Sequence, residues 1–118
     1  MADFKLLHRD ECEREGKWLL ARRSLGLQSF GMNLVELQRG ESIPEHDETD
    51  RDQEEVFLVL EGDAVIVIDG EDHPAKAGTF VRFDPHVRRT ARNDGEGPVT
   101  LMMVSAPRGS GYEPMSWA

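Results

Sequence analysis

Residues 40–62 place a dense acidic loop directly before a run of strand-forming residues. Eight of the fifteen residues from 41 to 55 are acidic, and the apolar run VFLVL follows at once. Glu55 opens this run, although a carboxylate at the start of a buried strand is costly unless a partner offsets its charge. His46 and Glu48 are two residues apart, so their side chains point to the same side of an extended chain. The pattern predicts a functional site where this strand begins.

Short strand-like runs separated by turn residues fill most of the rest of the chain. Gly62-Asp63, Asp69-Gly70 and Asp84-Pro85 are typical turn pairs, and no segment predicts a long helix. About eight short strands at this spacing predict an all-β sandwich or barrel. The seven clearest of these strand-like runs are 17–23, 27–40, 54–60, 63–69, 78–83, 86–93 and 98–107.

Length and composition favour one folded domain over residues 1–118. The chain has 38% apolar residues, shows no internal repeat and has no linker-like segment. The polar segment 1–16 and the Gly/Pro-rich tail 106–118 are expected to pack on this domain. The tail is expected to pack because it contains Tyr112 and Trp117, and large aromatic side chains usually find a packing surface.

Net charge limits the partners that the chain can have. A charge of −9 disfavours nucleic acid and anionic membrane surfaces, which both attract basic faces. The sequence shows neither a signal peptide nor an apolar stretch approaching the roughly 18 residues of a membrane span, which predicts a cytoplasmic protein. The single cysteine, Cys12, cannot form an internal disulfide and lies between two acidic residues, which indicates a buried or idle thiol.

Several predicted strands are apolar on both faces. In 55–60, Phe57 and Val59 share a side with Glu55, whereas Val56 and Leu58 take the opposite side. A small barrel buries only one face of each strand, so the second face needs cover from another sheet, the tail or a second subunit. A homodimer is therefore predicted.

Two motifs resemble those of the cupins, which are double-stranded β-helix barrels of the jelly-roll type, also called RmlC-like. The first cupin motif is G-x5-H-x-H-x3–4-E-x6-G; here the spacings from Gly40 to His46 and from Glu55 to Gly62 match it. The second is a turn followed by a histidine and, four residues later, an asparagine, which matches Asn93. The resemblance covers roughly residues 30–105 and implies a cupin barrel with a central pocket.

The chain departs from the cupin pattern at the residues that usually bind a metal. The resemblance implies three histidines and a glutamate, of which His46 and Glu55 remain. Glu48 stands at the second histidine position and Arg89 at the third, four residues before Asn93. The loop between Glu48 and Glu55 is also about two residues longer than the cupin spacing.

Arg89 changes the chemistry that this pocket can perform. A guanidinium has no lone pair to give to a metal, and its charge repels a divalent ion. Alternation places Arg89 with Val87 and Ala91 on the inner face, although a one-residue bulge would instead turn Arg88 inward. An inward Arg89 can replace the metal charge, pair with Glu55 and hold the carboxylate of a small acid.

Three functions follow from these residues. The first is a small-molecule-binding cupin, in which His46, Glu48, Glu55 and Arg89 contact a small ligand such as a carboxylic acid. The second is a metal-dependent dioxygenase, isomerase or decarboxylase; His46, Glu48 and Glu55, with His86 as a further candidate, would hold manganese or iron. The third is a metal-free acid–base enzyme that uses His46 and Glu55.

Overall fold

The computed structural model describes residues 3–118, which form two β-sheets with short helical turns between the strands. The strands are β1 (Arg14–Glu15), β2 (Trp18–Leu19), β3 (Gly31–Leu37), β4 (Gln53–Glu61), β5 (Asp63–Ile68), β6 (Glu71–Lys76), β7 (Phe80–Phe83), β8 (Arg89–Arg92) and β9 (Val99–Pro107). The helical elements are α1 (Ala21–Leu25) and two 3-10 turns, Arg9–Glu11 and Thr49–Arg51. The predicted all-β fold is confirmed.

The two sheets enclose the core. The larger sheet has the order β1-β2-β3-β9-β4-β7, and the smaller has the order β6-β5-β8. Alternation sends one side of each strand inward, because successive side chains point to opposite faces. The buried cluster between the sheets includes Val35, Phe57, Ile66, Phe83 and Leu101.

Three local predictions differ from the structure. The run 17–23 forms only the two-residue strand β2, after which Ala21–Leu25 turns into a short helix that ends at Gly26 in the left-handed conformation. Residues 71–76, which lie outside the predicted strands, form β6 at the edge of the smaller sheet, where Pro74 is tolerated. Tyr112 and Trp117 are 78% and 81% exposed, so their side chains do not pack on the barrel as predicted.

The N-terminal segment packs on the larger sheet through charged side chains. Arg9 forms an ion pair with Glu61 at 2.6 Å and another with Glu36, which also pairs with Arg14. Cys12 is buried, in agreement with a structural role. No helix among residues 3–118 is both long and apolar enough to cross a lipid bilayer.

Gly62 explains why the first motif ends in glycine. It lies in the turn between β4 and β5 with φ of +81°, where side chains are strained. A Cβ at this position would stand 2.3 Å from the Pro98 carbonyl oxygen. The turn therefore requires glycine for both conformation and space.

The outer face of the larger sheet is apolar and incompletely covered. Val56, Leu58 and Met102 point outward and are half-buried, and Phe80, on the edge strand β7, is 71% exposed. Arg108, Ser110 and Tyr112 of the C-terminal tail line a shallow pocket beside Val56 on this face. The barrel thus has an apolar outer surface that residues 3–118 leave partly open.

Candidate functional site

Backbone pairing brings the candidate residues to one end of the barrel. His46 precedes the acidic loop and forms an isolated antiparallel bridge with Arg89, the first residue of β8. The two backbone hydrogen bonds of this bridge, each donated by one residue's N–H to the other's carbonyl, measure 3.0 and 2.9 Å. Directly opposed residues of an antiparallel pair project to the same side, so both side chains point towards Glu55 of β4.

The longer acidic loop delivers Glu48 to the same place. The Glu48 N–H donates to the Pro85 carbonyl at 2.8 Å, and the Gln53 N–H closes the loop by donating to the Glu48 carbonyl at 3.3 Å. Between these bonds lies the 3-10 turn Thr49–Arg51. Asp52 then adopts a left-handed conformation and pairs with Arg108 at 2.6 Å. The loop is therefore a fixed part of the site.

The orientation of the His46 ring follows from its hydrogen bond to the backbone. Its Nδ1 lies 3.0 Å from the Pro44 carbonyl oxygen, which can only accept, so Nδ1 carries the proton. Nε2 then faces the nearest carboxylate oxygens of Glu48 and Glu55, each at 3.5 Å. Three electron-rich atoms would repel one another, and a cation among them, either a proton on Nε2 or a metal ion, removes that repulsion.

Arg89 and Glu55 form a buried ion pair behind His46. Arg89 is 0% exposed and Glu55 is 7% exposed, with 3.3 Å between Arg89 Nε and Glu55 Oε1. Arg89 Nη1 donates to the Val87 carbonyl at 2.6 Å, and the guanidinium lies 4.8 Å from the centre of the Phe83 ring. Nε, Nη2 and Glu55 Oε1 lack hydrogen-bond partners among the described residues. Charge attraction, rather than hydrogen bonding, therefore holds this pair together.

A cavity of about 700 Å³ opens onto this group of residues. His46, Glu48 and Glu55 contribute to its wall, whereas Arg89 does not. The guanidinium lies beneath Glu55, so in this conformation Arg89 does not reach the cavity where the predicted contact with a ligand carboxylate would form. Arg89 instead offsets the negative charge of Glu55, which lines the cavity.

His86 does not join the cluster. Its side chain is exposed in the turn after β7, consistent with a residue that follows Pro85 at a bend. His86, predicted as an additional metal ligand, therefore lies apart from His46, Glu48 and Glu55 in this conformation. The candidate site contains a single histidine.

The remaining cluster matches the donor set of a metal site. One ligand atom from each of His46, Glu48 and Glu55 lies within 4.8 Å of the others, and Glu55 Oε1 is a buried acceptor without a donor. An imidazole with two carboxylates suits manganese or iron(II). The same Glu55 oxygen, however, already faces the permanent charge of Arg89 at 3.3 Å. The residues fit a divalent ion in type and spacing, and Arg89 weakens its binding.

The Glu55 carboxylate raises the pKa of the His46 imidazole above its usual range. The Pro44 carbonyl acts in the same direction, whereas partial burial and the Arg89 charge oppose the shift. With His46 protonated, two positive and two negative side chains balance one another in the group of His46, Glu48, Glu55 and Arg89. This group needs no metal to be electrically neutral.

We expect the raised pKa of His46 to make the metal-free protein less stable as the pH rises. A histidine whose pKa is higher in the folded protein than in the unfolded chain stabilises the fold. This stabilisation is fully present below the pKa of the unfolded chain, about 6.5, and is lost as the pH rises through the pKa of the folded protein. Unfolding by denaturant between about pH 6 and pH 9 should show this decline in the chelator-treated protein, and His46→Gln should lack it. A His46 pKa at or below its ordinary value in an NMR titration would contradict the prediction.

Most of the cavity wall comes from residues that carry no motif. Trp18 of β2 and Phe30 before β3 form apolar parts, and the mouth carries Arg22 of α1 and Arg51 of the acidic loop. Arg51 is the only arginine or lysine among residues 41–55, which include eight acidic residues. Nothing in the sequence pattern indicated that residues 18–33 would line the cavity.

Comparison with known proteins identifies the class to which this barrel belongs. A family model of the cupin domain matches residues 33–105, and the chain belongs to the cupin family. A cupin protein from Bacteroides fragilis has a similar structure, with a TM-score of 0.80, 23% identity and coverage of 99% of this chain and 94% of that one. The predicted double-stranded β-helix is confirmed.

Two further solved structures share this fold with the chain. One is a sugar phosphate isomerase of a cupin superfamily, from Silicibacter pomeroyi. The TM-score is 0.67, the identity is 28%, and the match covers 75% of this chain and 57% of that one. The other is a predicted oxalate decarboxylase from Thermotoga maritima, with a TM-score of 0.61, 23% identity and coverage of 65% of each chain. No curated protein matches the sequence.

Proposed function

We propose that this cupin binds a small polar molecule without a metal ion. The observation that carries the proposal is the charge balance at the cavity base, where Arg89 faces Glu55 at 3.3 Å and Glu55 faces His46 at 3.5 Å. Arg89 stands where the cupin pattern has a metal-binding histidine and supplies the positive charge from within the chain. Protonated His46 can then donate a hydrogen bond to a ligand, and Glu48 can accept one.

The chelator-treated protein tests this proposal. We expect polar ligands from a panel of small hydroxylated acids and polyols to raise its melting temperature in a thermal-shift assay. His46→Gln and Glu48→Gln should reduce that stabilisation, because both side chains face the cavity. Asp50→Asn is the matched control, since Asp50 lies in the same loop and is exposed. Stabilisation that requires added Mn²⁺ or Fe²⁺ would contradict metal-free binding.

A metal-dependent enzyme is the second candidate, because three ligand atoms of His46, Glu48 and Glu55 lie within 4.8 Å. The structural similarity to the sugar phosphate isomerase, at 28% identity, also supports this candidate. A manganese or iron ion held by these residues would polarise an oxygen atom of the substrate. Near-stoichiometric metal in tag-free protein purified without chelator would favour this candidate over the first.

We also expect this chain to form a homodimer through the outer face of the larger sheet. Val56, Leu58 and Met102 form an apolar surface there, and Phe80 is 71% exposed. Extended apolar surfaces of this kind are typical of protein interfaces. Analytical ultracentrifugation should give twice the mass of the chain, and Phe80→Asp with Leu58→Lys should give the monomer. A wild-type monomer at all concentrations would contradict this expectation.

A further inference from the structure

Two arginines at the mouth of the cavity have no carboxylate oxygen within 4.0 Å among residues 3–118. The chain contains eleven arginines, all within the described residues, and nine have a carboxylate oxygen within 4.0 Å. The other two are Arg22 and Arg51, and both line the same cavity. In a chain with 23 acidic residues and a net charge of −9, unpaired arginines gathered at one opening are unexpected.

These two side chains come from separate parts of the fold. Arg22 lies in α1 and lines the cavity, and its Nη1 donates to the Leu27 carbonyl at 3.3 Å. Arg51 ends the 3-10 turn of the acidic loop, whose backbone bonds to Pro85 and Arg108 fix its position. Both arginines thus reach the cavity from ordered backbone, one from α1 and the other from the acidic loop.

The charge of the cavity therefore differs between its base and its mouth. The base presents the carboxylates of Glu48 and Glu55 to the cavity, whereas the Arg89 guanidinium is buried and does not line the wall. The mouth carries two unbalanced positive charges from Arg22 and Arg51. Between these ends the wall is partly apolar; it includes Trp18, Leu27, Phe30, Met32 and Met103.

We propose that the ligand carries an anionic group, a carboxylate or a phosphate, which Arg22 and Arg51 bind at the mouth while its hydroxyl end reaches His46 and Glu48. Guanidinium groups bind both anions with paired hydrogen bonds, and an anion is poorly suited to a base that presents two carboxylates. The inference rests on the proposed function and adds the chemical class of the ligand. It also assigns anion binding to Arg22 and Arg51 at the rim instead of to the buried Arg89.

Fluorescence of Trp18 provides the test, because this side chain lines the cavity. The experiment uses full-length protein with Trp117→Phe, which removes the other, 81% exposed tryptophan. The probes are glycerol 3-phosphate, glycerate and uncharged glycerol, which share a hydroxylated three-carbon skeleton and differ in their charged group. The preference between the two anions distinguishes a phosphate ligand from a carboxylate ligand.

We expect both anions to bind at least about tenfold more tightly than glycerol, and added salt to weaken their binding. Arg22→Gln and Arg51→Gln should each weaken anion binding by about tenfold. Arg23→Gln is the matched control, because Arg23 is the next residue of the same helix, pairs with Glu13 at 3.2 Å and does not line this cavity. It should leave binding unchanged.

Three results would overturn the inference: equal affinity for glycerol and the anions, full anion binding by both Arg22→Gln and Arg51→Gln, or no binding of either anion to the wild-type chain. The Glu48→Gln variant separates this inference from the proposed function. Binding of glycerol that depends on Glu48 but not on the arginines would retain the proposed function alone. Anion binding that depends on the arginines but not on Glu48 would retain the anion site and contradict the role of the base.

Discussion

Glu55→Gln is expected to lower the free energy of unfolding by about 3 kcal/mol, because it leaves the charge of Arg89 buried and uncompensated. Arg89 is 0% exposed, and among the described residues its guanidinium makes one hydrogen bond, to the Val87 carbonyl. Glutamine keeps the size of Glu55 and removes only its charge. Equilibrium unfolding in urea at neutral pH measures the effect directly.

Glu54→Gln provides the matched control for this measurement. Glu54 is the preceding residue of β4 and is exposed on the opposite face, so its change should alter stability by less than about 0.5 kcal/mol. Adding Arg89→Met to Glu55→Gln should recover part of the loss, since the unpaired charge is then removed. A loss below about 1 kcal/mol in Glu55→Gln would contradict the burial of an essential ion pair.

Arg89→His is expected to convert the site into a metal-binding site with at least about a hundredfold higher affinity for Mn²⁺ or Fe²⁺. The change removes a positive charge that faces Glu55 at 3.3 Å and adds an imidazole at the cupin ligand position. A unit charge about 5 Å from a divalent ion costs about 7 kcal/mol at an effective dielectric of 20, so partial relief already gives this factor. Elemental analysis after dialysis against the metal measures the uptake.

Arg88→His is the control, because Arg88 is exposed and pairs with Glu45 at 2.8 Å on the outer side. It should not change metal binding. Adding His46→Gln to Arg89→His should abolish the new binding, which shows that the metal occupies the intended cluster. Stoichiometric metal in the wild-type protein would contradict the replacement of a metal by Arg89 and favour the metal-dependent enzyme.

The fold and the base of the site could be predicted because they depend on local patterns. Turn residues and alternating apolar residues define the strands, and the spacing of Gly40, His46, Glu55 and Gly62 defines the cupin barrel. Alternation along β8 favoured an inward Arg89, and the structure places Arg89 in the interior with Ala91. Each of these inferences uses residues that are neighbours in sequence or matched by a motif.

The depth of each side chain could not be predicted in this way. The alternation of side chains along β8 predicts which face of the strand Arg89 occupies. The position of Glu55 between Arg89 and the cavity depends instead on how two strands from different sheets pack together. The contributions of Trp18 and Arg22 to the wall depend on the pairing of β2 with β3 and on a helix that the sequence pattern did not indicate. The exposed Tyr112 and Trp117 likewise depend on long-range packing.

The turn Thr49–Arg51 begins and ends inside the acidic loop, and the Gln53–Glu48 backbone bond closes it at its base. Residues can therefore be inserted or deleted in this turn during evolution without shifting the register of β4. Such changes alter the rim that a molecule first meets and leave the base of His46, Glu55 and Arg89 intact. Ligand preference at the entrance can thus diversify among descendants of this protein while the barrel and its interior charges are inherited unchanged.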